Sequence, residues 1–178
     1  RHPSATERLL SALKKEGLGP YHFRLGYDPN MPADKWPAVH CLTLSKFPIT
    51  KSRRHPIQMA RPILETTIEV NGTSFTIFNN HWKSGASSPE MEKHRLQNAT
   101  TLRTRIDELM AKDPKADFLV GGDLNSHYNQ STVHADQMKK TGINDILLSM
   151  GKEHQPGTKG NKLYNLWHEL PSKERGSD

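Results

Sequence analysis

The run ILETTIEVNGTSFTIFNNH, residues 63–81, restricts what this chain can fold into more than any other segment. Leu64, Thr66, Ile68 and Val70 alternate with Glu65, Thr67 and Glu69, the two-residue period of a strand with one face inward. Asn71-Gly72 then supplies the left-handed backbone of a tight turn, so TSFTIFNNH is expected to run back antiparallel beside the first strand. On that return strand Phe75, Ile77, Asn79 and His81 share a face. An apolar strand therefore ends with an amide and an imidazole pointing the same way.

Downstream, Ser88 is placed to cap a helix with Pro89 at its first position, and Leu96, Ala99, Leu102, Ile106 and Leu109 recur at helical spacing until Pro114. ADFLVGG follows as a short strand, apolar on both faces and so expected to be buried. Upstream, SATERLLSALKKEG reads as a helix with Ser4 and Glu7 as a capping box, Gly17 as its stop, and Leu9, Leu10 and Leu13 as its buried stripe. Residues 20–37 are rich in turn formers, AVHCLTLS is strand-like, and KFPITKSRRHP reads as a loop whose KSRR cluster is solvated. After Asn129 a short helix near 133–140 and irregular structure are expected. Strands separated by helices, with one hairpin among them, indicate a mixed α/β domain over residues 1–178.

Composition narrows the function classes. Hydrophobic residues make up 33%; counting the 12 Gly in and the 4 Tyr out gives roughly 38%, below the ~45–50% usual for globular domains. The core is thin, as in a loop-rich fold or a domain with core strands outside these residues. The net charge of +6 and pI of about 9.5 favour anionic partners such as phosphates, although no block of five or six like charges marks a basic arm. Cys41, the single cysteine, has no partner for an internal disulfide and reads as a small strand residue. No run approaches the ~18 apolar residues of a membrane span. GxSxG, P-loop, HExxH and Cys/His zinc spacings are missing. Trp36, Trp82 and Trp167 are scattered, as core or loop anchors are, and could also stack bases.

FLVGGDLNSHYN, residues 118–129, repeats the design of the hairpin's end: Asp123 and Asn125 share a face just beyond an apolar strand, and Gly121 and Gly122 permit close approach of a backbone or ligand. By itself GDLN favours a strand ending in a polar turn, by roughly two to one on turn statistics. His81 alone reads as a hydrogen-bonded strand-end histidine, and Lys83 as a solvated lysine. Together, a carboxylate, an amide, an imidazole and a cation are what phosphoester cleavage requires: a ligand for a hard cation or water, an orienting group, a proton donor and a partner for phosphate oxygens.

LTLSKFPI, IFNNHWKSG and FLVGGDLNS, in this order with the helix between the last two, resemble the endonuclease/exonuclease/phosphatase family of metal-dependent, DNase I-like phosphoesterases. The resemblance runs from LSKFPI to about Ser126 and more loosely back through the first helix. It implies a DNase I-like α/β sandwich of two mixed sheets flanked by helices, with Mg2+ as cofactor and Mn2+ or Ca2+ as substitutes. It assigns Asp123 and Asn125 to metal, water and phosphate, and His81 to the scissile phosphate or proton transfer. Asn79, Lys83 and Ser84 become substrate-binding residues. The implied activity is phosphodiester hydrolysis, with nucleic acid, DNA first, favoured as substrate over inositol phosphates or phospholipid head groups. Two alternatives stand beside it: a non-catalytic phosphate- or nucleic-acid-binding module on the same fold, and a phosphatase acting on small phosphoesters.

Two family features have no counterpart here, the metal-binding Glu before the first helix and the Asp-His pair near the C-terminus; Ser177-Asp178 lacks the His and Pro of the latter. The chain thus reads as a family core without its N- and C-terminal flanks, expected to be nearly inactive by itself. The catalytic reading carries a geometric demand. One phosphate must touch both strand ends, so the functional groups of His81 and Asp123 should lie within roughly 10 Å and be partly open to solvent.

Overall fold

The computed structural model describes residues 4–151 and 162–175; Ser177-Asp178 lies outside them. Helix α1 (Ala5–Lys15) starts as its sequence dictates: the Ser4 side chain accepts from the Glu7 backbone N–H while the Glu7 carboxylate takes the Ser4 N–H, and Gly17 follows at φ +71°. Its expected apolar stripe is not buried. Leu9 is exposed and Leu10 and Leu13 are half-buried, because no described element packs extensively against that side.

Strands β1 (His22–Leu25) and β2 (Leu42–Ser45) form a two-stranded antiparallel sheet. Strands β3 (Ile49–Ile57), β4 (Ala60–Val70), β5 (Thr73–His81) and β6 (Phe118–Asp123) form a four-stranded mixed sheet in that spatial order. The β4-β5 hairpin turns at Asn71-Gly72, both with positive φ, and pairs Leu64 with Asn79 through Val70 with Thr73. The expected loop at KFPITKSRRHP is instead most of β3. Lys51, Ser52, Arg53 and Arg54 are solvated as expected, but they sit on an edge strand, where charge and a proline (Pro56) discourage further pairing.

Helix α2 (Pro89–Lys112), capped by the Ser88 side chain on the Met91 N–H, covers one face of the mixed sheet. Phe78 and Trp82 from β5 and its end, Ile57 and Ile63 from the β3-β4 arm, Ala99, Leu102 and Ile106 from α2, and Ile143 and Leu147 from the π-turn at Gly142–Ile146 make the core. Trp82 is fully buried with its Nε1–H on the Asn80 amide oxygen (3.0 Å), so it is a core residue and does not stack bases. Trp36 anchors its loop through the Met31 carbonyl (3.0 Å), and Trp167 is exposed. Cys41 is buried, which pushes its thiol up. On the opposite face of the sheet, Asn79 donates to the Leu42 carbonyl (3.0 Å) and ties β5 to β2. The expected helix near 133–140 begins earlier, as the single turn α3 (Gln130–Val133), and continues only as turns. No described helix is long and apolar enough to cross a membrane.

The mid-part of β4 is covered on both faces. Glu65, expected to point to water, is buried between β4 and α2, where it meets His55 Nε2 at 2.6 Å and takes two hydrogen bonds from Arg105, each 2.8 Å. Burial by itself would raise its carboxyl, but the bonds from His55 and Arg105 outweigh that and bring it down to about 2. A depressed carboxyl contributes stability above its unfolded value and loses it as pH falls through the folded one. The contribution, of order 3 kcal/mol, is expected to be present at pH 5 and to disappear towards pH 2. Thermal unfolding followed against pH should show that loss, and Glu65→Gln should flatten it; an unchanged acid limb in the variant would remove Glu65 from the account.

Candidate active site

Strands β5 and β6 are parallel, so their carboxyl ends lie side by side, the place where open parallel sheets present ligands. The register pairs Asn79 with Gly121 and His81 with Asp123. Side chains of paired residues share a face, so one strand delivers the imidazole and the other the carboxylate to one spot. His81 Nε2 and Asp123 Oδ2 are 3.8 Å apart, well inside the distance one phosphate can bridge. The imidazole is 29% exposed and the carboxylate 61%, so both are open to solvent.

The backbone beyond the strands holds this arrangement. Trp82 N–H donates to the Asp123 carbonyl (2.9 Å), extending the ladder one step past His81. The chain then turns: Asp123 Oδ1 accepts from the Asn125 N–H (2.9 Å), and Asn125 sits at φ +46°, a left-handed conformation that Asn tolerates. The Asn125 side-chain amide donates back to the Trp82 carbonyl (3.1 Å), which fixes its position beside Asp123. Of the two glycines, Gly122 is the obligatory one. At φ +109° any Cβ would fall on the Asn80 carbonyl oxygen, whereas a Cβ on Gly121 meets open space. The polar turn expected of GDLN is present, and it sets Asp123 and Asn125 side by side at the end of β6.

His81, Asp123 and Asn125 are brought together; the other named residues are placed differently. Asn79 precedes His81 on the same face, but its amide N–H is already engaged by β2. Lys83 and Ser84 lie past buried Trp82 and line a neighbouring cavity together with Arg61. Arg61 donates to the Trp82 carbonyl (3.3 Å), the oxygen that also receives Asn125. Nothing in the sequence pattern singled out Arg61, because its partner is a backbone group on another strand. The same holds for Arg95, fully buried and aimed at the loop that carries Lys83 and Ser84.

As metal donors, the Asp123 carboxylate and the Asn125 amide oxygen are hard oxygens suited to Mg2+, Mn2+ or Ca2+. Among the described residues no group of three or more His, Cys, Asp and Glu side chains converges.

The architecture, a mixed sheet with a helix on one face and a small second sheet against the other, is of the DNase I-like α/β class expected from the motifs. The profile of the Endonuclease/Exonuclease/phosphatase family matches residues 37–177, and the chain belongs to that family. Among solved structures it is similar to beta toxin from Staphylococcus aureus, at 21% identity and TM-score 0.56 over 79% of this chain and 54% of that one. A beta-hairpin deletion mutant of the same toxin gives 19% identity and TM-score 0.51 over 79% and 55%. Truncated TDP2 from Caenorhabditis elegans is 21% identical with TM-score 0.49, over 67% of this chain and 46% of that one. The chain thus spans about half the length of these structures. No curated protein matches it.

Proposed function

We propose that this chain is the core of a divalent-metal-dependent phosphodiesterase that hydrolyses DNA. The observation that carries the reading is the meeting of His81 and Asp123 at 3.8 Å on adjacent parallel strand ends, with Asn125 pinned beside them, in a member of this family. Both groups are open to solvent, which a packed structural pair has no need to be. The excess of cations over carboxylates favours a polyanionic substrate.

In this reading Asp123 and Asn125 supply oxygen ligands to a hard cation, which when bound neutralises phosphate charge and acidifies water. Asn125, held by the Trp82 carbonyl, orients whatever occupies the spot between the two strand ends. His81 hydrogen-bonds the scissile phosphate and is placed to give up a proton as charge develops on it. Lys83 and Ser84 meet the substrate beyond the reacting phosphate.

The test is metal removal, in the longest natural polypeptide that contains these residues. Cleavage of DNA and of bis(p-nitrophenyl) phosphate is expected to stop in excess chelator and to return with Mg2+ or Mn2+. Full activity in excess chelator would exclude the mechanism.

A further inference from the structure

Next to the strand ends lies a cavity of about 810 Å³, within the ~300–1,000 Å³ typical of small-molecule sites. Its cations are Lys35, Arg54, Arg61 and Lys83, against a single carboxylate, Asp28. Apart from Ser84, its walls are otherwise apolar or aromatic. Met59, 79% exposed and at φ +56° on the β3-β4 turn, projects into solvent at the cavity's side, and Met31 and Val39 also line it. The Tyr27 and His40 rings meet edge to face at 4.5 Å in the wall. Four cations beside flexible thioethers and rings suit a ligand with an anionic tail and a flat, weakly polar body.

The cavity is joined to the candidate active site by one atom. The Trp82 carbonyl receives Arg61 from the cavity side and Asn125 from the strand-end side. Lys83, on the cavity wall, is two residues from His81. A group attached to a phosphate at the strand ends and directed towards Lys83 and Arg61 enters this space, while one directed along Asp123 and Asn125 meets a second cavity of about 850 Å³. The volume is on the scale of one nucleotide.

We propose that this cavity binds the unpaired nucleotide adjoining the scissile phosphate, with its anionic part against Arg61 and Lys83 and its base against Met31, Met59 and the Tyr27-His40 wall. This rests on the phosphodiesterase reading and narrows it to single-stranded nucleic acid. A phosphocholine ester, whose far end is a quaternary ammonium, would meet four like charges there.

The experiment is calorimetric titration of the 178-residue chain in excess chelator, where binding is read without turnover. Thymidine 5′-monophosphate is expected to bind at least about tenfold tighter than phosphocholine, and Lys35→Glu and Lys83→Glu each to weaken it several-fold at low salt with an unchanged melting temperature. A short single-stranded oligonucleotide should compete with the mononucleotide more strongly than a blunt duplex of the same sequence. Equal binding of phosphocholine, indifference to both charge reversals, or equal competition by the duplex would overturn the proposal. Metal-dependent hydrolysis of bis(p-nitrophenyl) phosphate is read separately, in the longest natural polypeptide that contains these residues. Hydrolysis without nucleotide binding removes the cavity assignment alone, whereas charge-sensitive nucleotide binding without hydrolysis supports the cavity and removes the phosphodiesterase reading.

Discussion

Asp123→Ala is expected to lower phosphodiesterase turnover about a hundredfold or more while leaving the melting temperature nearly unchanged. The two halves of that expectation come from the same geometry. The Asp123 carboxylate is 61% exposed, and its structural work is one hydrogen bond to the Asn125 N–H at 2.9 Å, worth about 1 kcal/mol. Asn125 keeps its second anchor on the Trp82 carbonyl, so the turn survives. What the substitution removes is a negative charge 3.8 Å from the His81 imidazole, at the spot where the phosphate is proposed to react. Asp123→Asn separates the roles, since it retains an oxygen for the turn and loses the charge; its turnover should fall almost as far. Near wild-type turnover in either variant would return GDLN to a polar turn and nothing more.

Arg95→Met is expected to act on stability, by about 3–5 kcal/mol, the usual cost of stripping one partner from a buried ion pair. The Arg95 side chain is fully buried against the Glu92 carboxylate at 2.6 Å. The rest of its guanidinium donates to the carbonyls of Lys83 (3.1 Å), Gly85 (2.8 Å), Ala86 (3.2 Å) and Ser88 (3.4 Å). Glu92 in turn accepts from the Gly142 N–H at 2.7 Å, so one ion pair fastens α2 to both the loop after β5 and the π-turn. Methionine fills a similar volume but leaves the buried Glu92 carboxylate without its counter-charge and takes one donor from each of four carbonyls. For a chain of this size the melting temperature should drop by roughly 10 °C or more. Arg95→Lys should fall nearly as far, because one ammonium cannot span the same fork of acceptors. A shift below about 2 °C would show that water replaces these bonds at little cost.

The two effects differ in how visible they were beforehand. Asp123 and His81 were legible because each closes an apolar strand, and polar pairs at strand ends follow from the two-residue period. Arg95 was not. It lies three residues from Glu92 on a helix, a spacing that ordinarily reads as an exposed surface pair, and only the approach of residues 83–88 turns it inward.

The same division runs through the fold. Local signals stated in adjacent residues were sufficient for the capping box of α1, the Asn71-Gly72 hairpin, the Ser88-Pro89 start of α2 and the family motifs, because caps, turns and periodicity act over a few residues. Those local signals name the elements, the family, and the carboxylate, amide and imidazole that meet at the ends of β5 and β6. Tertiary structure decided the rest. KFPITKSRRHP becomes β3 because β4 pairs with it from Ile49 to Ile57, with register shifts at Thr50 and Pro56, although its own pattern is that of a loop. Glu65 is buried because Arg105, forty residues away, reaches it. FLVGG is half-open, with Leu119 48% exposed, because β6 has only one strand beside it among the described residues. Lys83 and Ser84 turn to the cavity of Arg61 because Trp82 between them and His81 is drawn into the core. In each case the deciding partner lies outside the residue's own local pattern. A buried charge or an edge strand is stabilised by hydrogen bonds that exist only once the chain has folded.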